Sequence, residues 1–169
     1  MKKGSPEDRR NYIRKLTDEF RNTTSGESKS QILGNLANFA YSPYNWNFLS
    51  QYHVFQTLVS IVANEANECS LNIDLAMTGL LNSIECCEVK TMIKDAFPEL
   101  IKIFTTRYSI VPHDSLLSFL AIFYYFSIEE TDFFTTNFTK LLELFNTIKN
   151  KGSKRQKLMV ALIEEDCIH

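Results

Sequence analysis

The chain has 169 residues, of which 44% are hydrophobic and 22% are charged, and its formal net charge is −2. This composition argues against wholesale disorder, and the nearly balanced charge gives no reason to expect strong nonspecific attraction to nucleic acid or acidic membranes. Five glycines and four prolines are too few for an all-β protein with many tight turns. The sequence shows neither the apolar region of a secretory signal nor an apolar run long enough to span a membrane.

Apolar residues recur at helical spacing along almost the whole chain, so the sequence predicts an all-α protein. Pro98 is predicted to break or kink the fifth helix, and Ser28 or Ser30 is predicted to cap the second. Gly152 and Ser153 separate the last two helices. The expected helices lie near 6–21, 29–41, 45–64, 71–86, 89–106, 113–127, 131–149 and 153–167.

Three segments of the chain align with one another at intervals of 41 or 42 residues. Several apolar positions recur in near-constant register, which chance alignment of amphipathic helices does not explain. A helical period of about 40 to 47 residues is typical of HEAT and armadillo proteins. The rows at these intervals are Phe55, Phe97 and Phe138; Leu58, Leu100 and Leu141; Ile61, Ile103 and Leu144; and Val62, Phe104 and Phe145. The other helix class repeats as Leu36, Leu80 and Leu120, at intervals of 44 and 40 residues.

The repeat pattern predicts an armadillo/HEAT-like right-handed superhelical stack of about three repeats with a capping helix at each end. Each unit must stack on its neighbours because it cannot cover its own apolar surface. We predict one domain over residues 1–169, with residues 1–10 flexible. The expected repeats lie near 29–64, 71–106 and 113–149, followed by a terminal capping helix at 153–167.

Two asparagines stand at matching places in the repeated helices. Asn38 lies in the segment QILGNLANFAYSP, and Asn82 follows 44 residues later. A side-chain amide set into an apolar helix face can bond to the backbone of an extended bound chain, which makes both asparagines candidate partner-binding residues. The alternative is that each amide bonds to its own or a neighbouring helix. Ile122 takes this position in the third repeat, so a ladder of asparagines has at most two members.

Aromatic side chains supply the other candidates for partner binding. Tyr41, Tyr44 and Trp46 flank a proline at a predicted helix–helix turn, and such amphipathic rings are favoured at interface centres. The alternative is that they pack the repeat junction. Tyr124 belongs to the run 123–126, which covers too much of a helix for burial on one face. Part of this run is therefore a candidate partner surface, although a core between the third and last units explains it as well.

The strongest basic run begins at Lys149 and surrounds the predicted turn between the last two helices. Cations of this kind can hold the phosphates of an RNA backbone, although a solvated loop is the alternative. The candidates for RNA phosphate contact are Lys151, Lys154, Arg155 and Lys157.

No constellation of residues indicates an enzyme, a metal site or a cofactor. Adjacent carboxylates such as Glu129 and Glu130 diverge on a helix, and the four cysteines lack paired metal-ligand spacing. Cys86 or Cys87 with a distant histidine is the best candidate nucleophile, and it is a weak one. We expect reduced thiols and no catalytic residue, cofactor or small-molecule substrate.

Several segments resemble the armadillo repeat-containing protein seven family. The resemblance is closest over residues 11–62, especially in QILGNLANFAYSPYNWNFL, and it extends to NYIRKLTDEF, LAMTGLLNSIE and ALIEEDC. It implies a small non-enzymatic armadillo stack that pairs with an RNA-recognition-motif (RRM) protein of the RNA-binding motif protein forty-eight type. It also implies association with the minor spliceosome in the nucleus, an additional cytoplasmic location being left open. Contact with small nuclear RNA is expected either through the partner or through the basic run.

Overall fold

In a computed structural model, which describes residues 5–63 and 70–167, the chain forms nine α-helices and no strand within those residues. This all-helical structure is consistent with an armadillo/HEAT-like helical stack. None of the described helices is both long and apolar enough to span a bilayer. The helices are α1 Pro6–Asn22, α2 Gly26–Ala40, α3 Pro43–Gln51, α4 Val54–Ala63, α5 Ser70–Asn82, α6 Cys87–Thr106, α7 His113–Glu129, α8 Thr131–Lys151 and α9 Lys154–Cys167.

The chain divides into two compact units, Met1–Asp95 and Ala96–His169, and the boundary falls within α6. In the first unit, α2 packs against α1, α3 and α5, and in the second unit α9 packs against α7 and α8. The single domain, the number of repeats and the right-handed path stay predictions. Residues 6–10, which were expected to be flexible, form the first turns of α1.

The apolar rows of the repeat alignment are buried. Phe138 is the exception, because its side chain is only half-buried. The other aligned residues reach at most 6% exposure, so the predicted register identifies core positions in both units.

In each unit, one polar bond between neighbouring helices joins residues that are one repeat period apart. In the first unit, Ser30 Oγ donates to Asn72 Oδ1 at 2.7 Å, which joins α2 to α5 across 42 residues. In the second unit, Tyr124 Oη donates to Asp166 Oδ2 at 2.6 Å, which joins α7 to α9 across the same interval. Helices one period apart are therefore direct neighbours within each unit, as stacked repeats require.

The single helix predicted over residues 45–64 is wrong, because α3 and α4 are separate. Tyr52 and His53 lie between them, and His53 has a positive φ of 59°, which an α-helix does not accommodate. The Tyr52 carbonyl accepts from Arg21 Nη2 at 2.9 Å, so a bond to α1 takes the place of a helical one. The end of α3 thus coincides with a contact to a residue distant in sequence.

Two further details of the predicted helices need correction. The structure continues α6 across Pro98, so the predicted break at this proline is wrong, while the predicted kink stays a prediction. The N-cap of α2 is Ser25, whose hydroxyl accepts from the backbone N–H of Ser28 at 3.3 Å. Ser28 and Ser30 lie inside the helix, because α2 begins one turn earlier than its apolar residues indicate.

Candidate partner-binding groove

A groove of about 680 Å³ lies between α2 and α5 in the first unit. The α2 residues that line it form adjacent pairs that recur every four positions and end at Asn38, which places them along one side of the helix. Leu71 and Leu75 of α5 supply its apolar side. The α2 residues of this groove, called the α2–α5 groove below, are Gly26, Glu27, Ser30, Gln31, Gly34, Asn35 and Asn38.

The shape of the groove depends on a small residue at its middle. A Cβ added at Gly34 would lie 3.6 Å from Leu75 Cδ2, which is an ordinary contact distance, so close helix packing does not require this glycine. The missing side chain instead leaves Leu75 half-buried and open to the groove, and Leu71 is 53% exposed. An apolar strip bordered by amides is thus available to another molecule.

Asn38 lies on the exposed side of α2, so the prediction that it is set into the apolar face is wrong. Its neighbours Ala37 and Ala40 turn into the core, whereas the Asn38 side chain is exposed and makes no hydrogen bond to another described residue. Asn35 lines the same groove one turn earlier, is exposed, and is likewise unbonded among the described side chains. Asn35 was not predicted from the sequence as a site residue, although its spacing of three from Asn38 indicates a shared face.

Asn82 differs from Asn38 because its amide is used within the protein. Asn82 is half-buried, and its Nδ2 donates to the carbonyl of Ala37 in α2 at 3.2 Å. Because α2 ends at Ala40, the carbonyls of its last turn lack helical N–H partners. The alternative of a bond to a neighbouring helix is therefore what the structure shows for Asn82.

Two side chains of α3 satisfy further carbonyls at the same end of α2. Asn45 Nδ2 donates to Phe39 O at 2.9 Å, and Trp46 Nε1 donates to Ala40 O at 2.7 Å. Trp46 is half-buried, which agrees with packing at the repeat junction. Asn45 is only 4% exposed and was not singled out from the sequence, because nothing local indicates which carbonyl it reaches.

Unlike Trp46, which is half-buried, the two tyrosines predicted to lie beside it are largely exposed. Tyr41 is 76% exposed and Tyr44 is 82% exposed. Their rings add little to the core, so they stay candidates for contact with a partner.

The aromatic run of α7 is divided between core and surface in the second unit. Phe123 and Phe126 are completely buried, whereas Tyr124 and Tyr125 are half-buried. The Tyr124 hydroxyl is bonded to Asp166 as described above, and the Tyr125 hydroxyl donates to Glu129 Oε1 at 2.8 Å. Burial of the phenylalanines explains the run as core, while the tyrosines reach the surface through their polar ends.

The residues predicted to contact RNA phosphates lie together at the α8–α9 turn. Lys149, which begins the basic run, is paired with Glu164 at 2.6 Å. The other four cations are exposed, and none forms an ion pair with a described residue. They are Lys151, Lys154, Arg155 and Lys157.

The described residues contain no group of three or more metal-ligating side chains. Cys86 is half-buried and Cys87 is exposed, and both thiols are free. Cys69, the Cys167 side chain and His169 lie outside the part of the chain that the structure describes.

Alanine substitution should separate the roles of the two repeated asparagines. Asn82→Ala is expected to lower the free energy of unfolding by about 1 to 2 kcal/mol, because it removes a hydrogen bond and leaves the Ala37 carbonyl without its partner. Asn38→Ala should change it by less than about 0.5 kcal/mol, as is usual for an exposed side chain. Urea unfolding followed by circular dichroism measures both values, and equal losses would contradict the assignment.

No family model matches the chain. A local alignment of 54 residues is 41% identical to Armadillo repeat-containing protein 7 of the mouse and covers 32% of this chain. The alignment spans 27% of the length of the mouse protein, well under two thirds. The match supports a family relationship at most, fits a protein-interaction scaffold in general, and suggests that the scaffold is non-enzymatic.

Proposed function

We propose that the chain is a non-enzymatic scaffold that binds an RRM protein, of the RNA-binding motif protein forty-eight type, in a pre-mRNA splicing particle. The particle of this proposal is the minor spliceosome, and the location is nuclear. The observation that carries the proposal is the α2–α5 groove. The family resemblance rests mainly on the segment LANFAYSP, which begins in α2. Along the groove, α2 presents the amides of Asn35 and Asn38, which bond to no other described residue.

The chemistry of the α2–α5 groove suits an extended segment of the partner. The amides of Asn35 and Asn38 each offer donors and an acceptor, which match the alternating groups of a peptide backbone. Leu71 and Leu75 can take an apolar side chain of that segment. Tyr41 follows Asn38 by three residues and is strongly exposed, so it adds aromatic surface beyond the C-terminal end of α2.

A second candidate function is a general peptide-binding adaptor outside splicing. The observation in its favour is that amide groups bind any peptide backbone and do not by themselves select one sequence. Affinity purification of the tagged full chain from nuclear extract, followed by mass spectrometry, separates the two candidates. The splicing proposal requires one RRM protein together with other splicing proteins. Recovery of partners with no link to splicing would support the adaptor and contradict the splicing role.

Removing the groove amides should weaken partner binding without unfolding the protein. For Asn35→Ala/Asn38→Ala we expect at least about a tenfold loss of affinity, equivalent to about 1.4 kcal/mol, because the partner backbone would lose its hydrogen-bonding groups. Asn146→Ala is the matched control, since Asn146 is an exposed asparagine on α8. Isothermal titration with the purified partner measures the affinities. Unchanged affinity in the double variant would place the interface elsewhere.

A further inference from the structure

We propose that the α8–α9 turn binds the phosphate backbone of a single-stranded nucleic acid. The four cations that carry this inference, called the basic turn below, are Lys151, Lys154, Arg155 and Lys157. The inference does not rest on the α2–α5 groove or on the proposed partner.

Among the described residues, no acidic side chain forms an ion pair with the basic turn. In the same stretch, Lys149 has an ion pair with Glu164 at 2.6 Å, which shows that α9 can supply a partner where geometry permits. The four residues of the basic turn have no such pair among the described residues, and all of them are exposed. Their charges are therefore available to an anionic ligand.

Stability of α9 does not explain these cations. Lys154, Arg155 and Lys157 fall within the first four residues of α9, where the helix dipole disfavours positive charge, and no acidic residue lies in that turn. The first turn of α1 follows the usual preference, with Glu7 and Asp8. Residues that oppose local stability are expected at functional sites.

The backbone beneath the basic turn is held by specific contacts. Ser153 and Gln156 cap the start of α9 reciprocally, with Gln156 Oε1 accepting from Ser153 N–H at 2.9 Å. A Cβ at Gly152 would lie 2.6 Å from the carbonyl oxygen of Ile148, so only glycine fits between the helices. Cations on such a fixed turn lose less conformational entropy on binding than cations on a loop.

A nucleic-acid strand suits this surface better than an anionic membrane does. Leu158 is 61% exposed beside the cations, which is a feature of membrane-surface helices. However, the other end of α9 carries Glu164, Glu165 and Asp166, whose charges oppose contact along an anionic bilayer. A phosphodiester strand repeats its charge at every nucleotide, so it can contact all four cations while touching only the basic turn.

The test uses the full chain and a fluorescent 20-nucleotide oligouridylate, with anisotropy measured over a range of potassium chloride concentrations. The variant is Lys154→Gln/Arg155→Gln/Lys157→Gln. The control, Arg14→Gln/Lys15→Gln/Lys140→Gln, removes the same charge from exposed residues elsewhere. Circular dichroism confirms folding, and the melting temperature of the basic-turn variant should be equal or slightly higher because the helix-dipole conflict is relieved.

We expect the basic-turn variant to lose at least about tenfold in affinity and the control to lose much less. The slope of log affinity against log salt should change from about −2.8, for four phosphate contacts, to about −0.7. The deoxyribonucleotide strand of matching length should bind similarly, since these cations do not read the 2′-hydroxyl. Equal losses in both variants, affinity independent of salt, or binding of phosphatidylserine vesicles without binding of the oligonucleotide would overturn the proposal.

Discussion

Gln156→Ala is expected to lower the free energy of unfolding by about 2 to 3 kcal/mol, since truncation removes several hydrogen bonds and leaves a cavity. The Gln156 side chain is completely buried at the start of α9. Its Oε1 accepts from Ser153 N–H, and its Nε2 lies 3.0 Å from His113 Nδ1 and 3.3 Å from the His113 carbonyl oxygen. One side chain therefore caps α9 and joins it to the first residue of α7.

One further variant separates the hydrogen bonds of Gln156 from its packing volume, and another serves as a surface control. Gln156→Met keeps most of the side-chain volume and removes the hydrogen bonds. We therefore expect it to lower the free energy of unfolding by about half as much as Gln156→Ala does. Gln51→Ala is the surface control, because Gln51 is exposed at the end of α3, and it should change stability by less than about 0.5 kcal/mol. Urea unfolding gives the free energies, and hydrogen exchange of α9 amides reports the local effect. A loss no larger than that of Gln51→Ala would show that Gln156 does not hold α9.

The sequence predicted the apolar framework better than the polar contacts. The aligned rows of leucine, isoleucine and phenylalanine identified core positions because burial follows helical periodicity directly. The separation of α3 from α4 was missed because the contact that accompanies it, from Arg21 to the Tyr52 carbonyl, joins residues more than 30 positions apart. No local pattern around His53 indicates its positive φ.

The candidate groove was predictable only in part, because its polar contacts also join residues that are distant in sequence. Asn38 was identified from the sequence, but its likeness to Asn82 was misleading. Asn82 donates to the Ala37 carbonyl near the end of α2, whereas Asn38 is exposed and bonds to no other described residue. The role of Gln156 was missed, although a serine followed three residues later by glutamine is a capping signal. The sequence does not indicate which helix end lies next to which distant side-chain amide, so these caps could not be assigned from it.

Two chemically identical substitutions in neighbouring helices should have opposite effects on stability. Gly79→Ala is expected to lower the free energy of unfolding by about 1 to 2 kcal/mol, because overpacking of a tight core costs more than the gain in helix propensity. Gly34→Ala should raise it by up to about 1 kcal/mol, since alanine favours the helix and its methyl group has room.

The difference follows from the space around each glycine. At Gly79, which is buried, an added Cβ would lie 2.8 Å from Leu58 Cδ1 and 3.2 Å from Ala37 Cβ. Leu58 is completely buried, and Ala37 Cα at 3.3 Å belongs to the backbone, so neither neighbour can move freely. At Gly34 the nearest atom is Leu75 Cδ2 at 3.6 Å, on the side of the α2–α5 groove.

Displacement of α2 from Gly79 would also disturb the bond between Asn82 and Ala37, because the residue that the new methyl group meets is the one whose carbonyl accepts that bond. We therefore expect Asn82→Ala to cost less in the Gly79→Ala background than in the native chain, as a double-mutant cycle by urea unfolding measures. Gly34→Ala is the control background, in which the cost of Asn82→Ala should be unchanged. Additive losses with Gly79→Ala would show that the methyl group is accommodated by Leu58 and not by movement of α2.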